Sequence, residues 1–140
     1  MRDLMQVYRA VVDSVPMGTT QTDVYRMVVE HPAPRFYVDP RRVHCVLSPM
    51  MRGDRRMLDR MGCLKRQMYL DLYDKVMELS QRKGFWGKSL NFKLREAVLE
   101  PAPRFYISPT RMGQIWQEMT AEARQQRYKR MTKDYGKRND

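Results

Sequence analysis

Two arginines are the residues of this chain best suited to binding another molecule. They are Arg35 and Arg104, and each opens the tripeptide Arg-Phe-Tyr. A guanidinium group binds a phosphate through paired N–H donors, and a tyrosine ring stacks on a nucleobase. The same residues could instead be structural, with phenylalanines anchored in the core and arginines bonded to carbonyls of the preceding helix. The sequence leaves both interpretations open.

The alternation of side chains in an extended segment favours an exposed arginine–tyrosine pair. Neighbouring side chains of such a segment point to opposite sides. If Phe36 is buried, Arg35 and Tyr37 point outward together, and the same holds for Arg104 and Tyr106. We therefore predict two exposed Arg-Tyr pairs that contact a polyanion.

Each tripeptide lies within a longer repeated segment. Residues 32–37 read Pro-Ala-Pro-Arg-Phe-Tyr, and the same hexapeptide returns 69 residues later at 101–106, with similar flanking residues in register. Six identical residues with matching flanks indicate an internal duplication. The duplication predicts the architecture but does not identify a reaction.

Hydrophobic spacing predicts the elements that hold the two hexapeptides. Apolar residues three and four positions apart are typical of amphipathic helices, and prolines and glycines mark their ends. Asp39-Pro40 and Ser108-Pro109 are typical helix starts. The predicted helices cover residues 4–15, 22–31, 40–48, 54–81 with a break near Gly62, 89–100 and 109–123.

These elements predict an all-α fold of two tandem pseudo-repeats. Each is a three-helix, helix-turn-helix-like unit, and the two are joined by a long helix, with the hexapeptides as short extended connectors. The predicted boundaries are 1–53 for the first unit, 54–81 for the connecting helix, whose C-terminal part is the first helix of the second unit, 82–123 for the rest of that unit, and 124–140 for a basic, polar, helical extension that ends in a frayed tail.

The positive charge is concentrated in two stretches. The net charge is +11, residues 41–66 hold eight basic and two acidic side chains, and residues 82–95 hold five basic side chains and no acid. Clustered charge of this kind favours a polyanion, most often nucleic acid, although an acidic protein surface or a soluble helix face is the alternative.

Two further segments are candidates for contact with nucleic acid. The start of each third helix carries arginine and could receive a phosphate at its backbone N–H groups. The loop Gly84-Phe85-Trp86-Gly87 breaks the repeat, because aligning Leu72-Tyr73 with Val7-Tyr8 leaves four extra residues here. Its aromatic residues suit stacking on an unpaired base, insertion into a partner protein, or covering of the core.

The leading hypothesis is a non-enzymatic nucleic-acid-binding protein, with DNA as the expected ligand. The alternative is a structural or adaptor protein, such as a virion component or an accessory subunit, that binds a protein partner through methionine-rich and aromatic surfaces. The predicted nucleic-acid-binding residues are Arg35, Tyr37, Arg41, Arg42, Arg52, Arg55, Arg56, Lys83, Phe85, Trp86, Lys88, Arg104, Tyr106 and Arg111.

Catalysis, metal binding and membrane insertion have little support in the sequence. No phosphate-binding glycine loop, nucleophile elbow or zinc-ligand spacing is present, and no cofactor is expected. No segment approaches the roughly 20 apolar residues of a membrane-spanning helix. We expect an intracellular, cytoplasmic protein of phage or mobile-element type, with its oligomeric state left open.

Overall fold

Residues 2–138, the part of the chain that the structure describes, fold into seven α-helices and one short 3₁₀ helix. The structure is a computed structural model that describes residues 2–138, with side chains through residue 133, and no strand occurs in this part. The all-α prediction is confirmed. The helices are α1 (Arg2–Ser14), α2 (Gln21–Glu30), α3 (Pro40–Met51), α4 (Arg56–Asp59), α5 (Cys63–Ser80), α6 (Leu90–Leu99) and α7 (Pro109–Arg138), and the 3₁₀ helix covers Lys83–Phe85.

Side-chain caps explain where several helices begin. Thr20 accepts a hydrogen bond from the backbone of Asp23 at the start of α2, and Ser89 does the same for Phe92 at the start of α6. Asp39 accepts from the backbone N–H of Arg41 at the start of α3. Such caps satisfy backbone donors that a first helical turn leaves free. The predicted helix start at Asp39-Pro40 is confirmed.

The connecting segment over 54–81 is divided into α4 and α5 at the predicted break near Gly62. Gly62 lies between them in an extended conformation and forms the N-cap of α5 without a capping side chain. Leu58 of α4 is buried, and Arg66 donates to the carbonyl of Met61 at 2.8 Å, which holds the turn against α5. The separation gives α5 its own N-terminus, with free backbone donors.

Each third helix packs mainly against the opposite half of the chain. Helix α3 lies against α5 and α6, whereas α7 lies against α2 and reaches α1, where the rings of Tyr8 and Trp116 stack at 3.8 Å. Gly113 permits the close approach of α7 to α2, because a Cβ there would lie 2.9 Å from the Tyr25 ring. The second and third helices of each half therefore do not pack closely on each other as they would in a helix-turn-helix unit.

One hydrophobic core is shared by both halves. Leu47 from α3 and Met112 from α7 are fully buried in it, together with Tyr69 and Leu72 from α5. The later part of α7 lies outside this core, since every described side chain over residues 121–133 is exposed. The predicted solvated helical extension is confirmed over these residues. The tail predicted to fray lies partly beyond the described residues, and α7 itself continues to Arg138.

Candidate anion-binding cleft and aromatic platform

The two hexapeptides pair with each other at the centre of the molecule. Ala33 and Ala102 form an antiparallel bridge through two reciprocal N–H to carbonyl bonds of 2.9 Å. The amide of Phe36 donates to the carbonyl of Val98 at the end of α6, and the amide of Phe105 donates to Val29 at the end of α2. Each copy of the motif is therefore bound to the opposite half, and the expected short strand is a single residue pair.

The two phenylalanines of the motif are core residues. Phe36 is 1% exposed and Phe105 is 5% exposed. Phe36 stacks on Tyr106 with ring centres 6.0 Å apart, and Phe105 stacks on Tyr37 at 5.9 Å. Such offset ring pairs add to the free energy gained from burial. The geometry thus matches the structural interpretation for the phenylalanines.

Both motif tyrosines donate their hydroxyl protons to an aspartate. Tyr37 donates to Asp3 of α1, and Tyr106 donates to Asp71 of α5. Burial and the hydrogen bond to Asp3 raise the pKa of Tyr37 to about 12. Burial and the hydrogen bond to Asp71 raise the pKa of Tyr106 still further above its ordinary value. Because both bonds require the protonated phenol, the two tyrosines stay neutral over the physiological pH range.

The raised pKa of Tyr37 predicts a late ionisation. Its folded-state pKa lies above the unfolded value of 10, so its stabilising effect is complete below pH 10 and is lost as the pH rises toward 12. Subtracting the ultraviolet titration of Tyr37→Phe from that of the wild type should give one phenol with a pKa near 12. Asp3→Asn should bring this pKa back toward 10, whereas Asp13→Asn, on the same helix, should leave it unchanged. A difference curve centred at 10 in the wild type would contradict this assignment.

The two motif arginines line one pocket, which we call the inner pocket. Its volume is about 130 Å³, and its lining residues are Leu4, Arg35, Tyr37, Met68, Arg104, Phe105, Tyr106 and Ile107. The Arg35 guanidinium carbon lies 5.5 Å from the centre of the Tyr37 ring, and its buried Nε has no acceptor. The Nε of Arg104 donates to the Phe105 carbonyl at 3.4 Å. Among the described side chains, neither arginine has a carboxylate within 4.0 Å.

A wider outer cleft adjoins the inner pocket. It has a volume of about 600 Å³ and shares Tyr37, Met68 and Tyr106 with that pocket, while Gly62–Lys65 at the start of α5 form its other wall. The α5 N-terminus adds partial positive charge, because its first backbone N–H groups have no helical acceptor. The inner pocket and the outer cleft together are the central cleft. Sequence reasoning missed Lys65 and Met68 as members of this site.

Two other grooves beside the hexapeptides are lined by acidic side chains. Asp3 lines a groove with residues 31–34, and Asp71 lines a second groove with residues 101–103, where Asp74 and Glu78 also lie. No aspartate or glutamate lines the central cleft in the described part of the chain. The central cleft is therefore the positively charged concavity around the motif.

Trp86, Phe92, Lys83 and Lys88 lie within the basic stretch of residues 82–95, and we call these four residues the aromatic platform. Trp86 is 62% exposed and Phe92 is 41% exposed. The ammonium of Lys88 lies 5.2 Å from the centre of the Phe92 ring, and the centre of the partly buried Phe85 ring lies 5.8 Å from that of Phe92. Phe85 thus covers the core and Trp86 does not. Phe92 was missed from the sequence, although its place in the basic stretch was a usable signal.

The remaining predicted arginines differ in whether they form ion pairs within the protein. Within the described side chains, no carboxylate pairs with the exposed Arg41, Arg42, Arg52 and Arg55. Arg56 forms two bonds with Asp54, at 2.9 and 3.1 Å, which lower the pKa of that carboxyl to about 2. Arg111 lies 3.6 Å from Glu118. Two of the predicted contacts are therefore engaged within the protein.

The starts of the third helices are poorer phosphate sites than the sequence predicted. The carboxylate of Asp39 already accepts the N–H of Arg41 at 2.9 Å, so a phosphate at α3 would meet a like charge. At the start of α7 the Ser108 hydroxyl accepts the N–H of Arg111 at 3.1 Å. Both ends are capped by side chains of the chain itself, in contrast to the uncapped start of α5.

The described residues hold neither a metal-binding group nor a membrane-spanning helix. No group of three or more potential ligands could hold a metal ion there, and Cys45 and Cys63 are free thiols. No helix in this part of the chain is both long enough and apolar enough to cross a membrane. Comparison with protein-family models, curated proteins and solved structures found no match to the chain.

Proposed function

We propose that this chain is a non-enzymatic nucleic-acid-binding protein built from two pseudo-repeated units. The observation that carries the proposal is the exposure of the Trp86 ring within residues 82–95, a stretch with five basic side chains and no acid. An exposed aromatic ring flanked by lysines suits a base stacked on the ring and phosphates held by the ammonium groups. A surface for a protein partner would instead join the ring to a larger apolar patch.

Matched contacts support the pseudo-repeat. Ala33 pairs with Ala102, its counterpart 69 residues later, and the capping residues Thr20 and Ser89 keep the same separation. In the first helices the separation is 68 residues, as the tyrosine-bound Asp3 and Asp71 show. We propose a separation of 68 residues in place of the 65 that align Leu72-Tyr73 with Val7-Tyr8. With a separation of 68, the buried Leu72 matches the buried Leu4. The loop that follows is longer by one residue rather than four.

The geometry favours a single strand over a duplex. In a duplex the base faces are already stacked, so an exposed ring such as Trp86 gains little from them, whereas every unpaired base offers a free face. The second and third helices of each half do not pack as in a helix-turn-helix unit, the motif that places a helix in a duplex groove. DNA was the nucleic acid expected from the sequence, and the aromatic platform suits single-stranded DNA or RNA.

Fluorescence anisotropy with single-stranded DNA, duplex DNA and RNA of equal length, at two salt concentrations, tests the proposal. We expect single strands to bind more tightly than the duplex and to weaken steeply with salt through counterion release. Trp86→Ala with Phe92→Ala should weaken binding at least roughly tenfold, since a stacked base contributes about 1–3 kcal/mol. Lys83→Ala with Lys88→Ala should also flatten the salt dependence. Leu99→Ala removes an exposed apolar side chain of α6 outside the platform and is the matched control.

Two outcomes would contradict the proposal. One is weak binding to all three nucleic acids even at low salt, which would favour the alternative, a structural or adaptor protein that binds a protein partner. The other is binding that the Trp86 and Phe92 replacements leave unchanged. Exposed methionines, which that alternative requires, occur on separate elements, with Met17 before α2, Met57 in α4 and Met77 in α5.

A further inference from the structure

We propose that the central cleft binds a nucleoside monophosphate, either free or at the end of a nucleic-acid strand. In this proposal Arg35 and Arg104 hold the phosphate, and the base and ribose occupy the outer cleft against the two motif tyrosines. The site is separate from the aromatic platform, so the proposal can hold or fail independently of the nucleic-acid-binding function proposed above.

The arrangement of charges points to an anion. Arg35 and Arg104 line the inner pocket without a carboxylate partner, and the buried Nε of Arg35 has no acceptor within the described protein. The two guanidinium charges are not neutralised by the described part of the protein, and a bound anion would supply the missing negative charge. Asp3 and Asp71, the nearby carboxylates, are bound to tyrosine hydroxyls and line different grooves.

The apolar walls of the inner pocket strengthen this effect. Leu4, Met68 and Ile107 line it together with the arginines. A guanidinium–phosphate pair is stronger where such walls lower the local dielectric constant. The inner pocket, at about 130 Å³, is large enough for a phosphate group but leaves little room for a base and a ribose in addition.

The outer cleft supplies the space and the surfaces for the nucleoside. Its volume is about 600 Å³, and Tyr37 and Tyr106 border both the outer cleft and the inner pocket. Tyrosine rings next to an arginine form a stacking surface for a base. Lys65 and the uncapped N-terminus of α5 add positive charge to the opposite wall. A ligand with a flat aromatic part and one phosphate matches both regions, whereas inorganic phosphate uses only one.

Isothermal titration calorimetry with AMP, adenosine and inorganic phosphate tests the site on the full chain. We expect AMP, or a 5′-phosphorylated oligonucleotide, to bind at least roughly tenfold more tightly than the form lacking the phosphate, because charge-assisted hydrogen bonds are lost. A preference for AMP identifies a free nucleotide as the ligand. A 5′-phosphate preference seen with the oligonucleotide alone identifies a strand end.

Variants separate the cleft from the platform. Arg35→Ala with Arg104→Ala should weaken the phosphate-dependent binding at least roughly tenfold. Lys65→Ala should weaken the same binding, and because it changes an exposed side chain of the outer cleft, it tests the site even if the arginine variant does not fold. Arg9→Ala with Arg26→Ala removes the same charge elsewhere and should change it less than twofold. Trp86→Ala with Phe92→Ala should leave the preference for AMP over adenosine intact, because that preference depends on the phosphate and the cleft arginines. Equal affinity for the phosphorylated and unphosphorylated ligands, or a phosphate preference that the arginine and Lys65 variants retain, would overturn the proposal.

Discussion

Replacing Phe36 by alanine should lower the free energy of unfolding by about 3–5 kcal/mol, the usual cost of emptying a buried phenylalanine site. The ring is 1% exposed and stacks on Tyr106, so its removal leaves a cavity and breaks a contact between the two motif copies. Phe105→Ala should have a similar effect, because Phe105 stacks on Tyr37 in the same way. Urea unfolding followed by circular dichroism measures both changes.

Phe92→Ala is the matched control for this loss of stability. It removes the same side chain from a position that is 41% exposed, so the cost should be much smaller than in the core. A loss at position 36 no greater than that at position 92 would show that the hexapeptides do not form the centre of the core. In the double variant Phe36→Ala with Phe105→Ala, the loss of unfolding free energy should differ from the sum of the two single losses, because both residues belong to one contiguous cluster.

Local patterns predicted the helices but not the partners that cover them. The capping residues Thr20, Asp39 and Ser89 and the apolar spacing indicate where helices begin and which faces are buried. Spacing identifies a buried face but carries no information about the helix that covers it. The packing of α3 on α5 and α6, and of α7 on α2, depends on contacts between the two halves. A helix-turn-helix outline fits the order of the same helices, but it does not indicate that each third helix packs on the opposite half.

The sequence analysis named the arginines and tyrosines that line the central cleft but did not predict their geometry. Arg35 and Arg104 were expected on two separate outward faces, whereas the pairing of Ala33 with Ala102 brings both arginines to one pocket. The bond of Tyr37 to Asp3 spans 34 residues, and no local alternation reveals such a contact. Lys65 joins the cleft only because the chain breaks before α5. Non-local contacts therefore account for most of what sequence reasoning missed.

Each third helix packs against the opposite half of the chain, an arrangement that we call the exchange of third helices. This exchange predicts that neither half folds alone. A fragment of residues 1–53 would expose the buried face of α3, and a fragment of residues 54–140 would lack α2, against which α7 packs. Short isolated helices are marginally stable in water, so both fragments should show far less helical circular dichroism than their share of the intact protein. An equimolar mixture should recover the helical signal, because each fragment supplies the surface that the other lacks.

A truncated chain is the control for the loss of helical structure in the fragments. It shows whether that loss comes from separating the third helices from their partners or only from a shorter chain. Removal of residues 124–140 deletes a segment whose described side chains are all exposed, and it should change the unfolding free energy by no more than about 0.5 kcal/mol. The mixture should unfold at a midpoint that rises with concentration, since the halves are no longer joined. Native-like helix content and a cooperative transition in fragment 1–53 alone would mean that α3 can pack on its own half, which would contradict the exchanged arrangement and favour two independent units. Because the cleft arginines come one from each half, AMP binding should appear only in the mixture and not in either fragment.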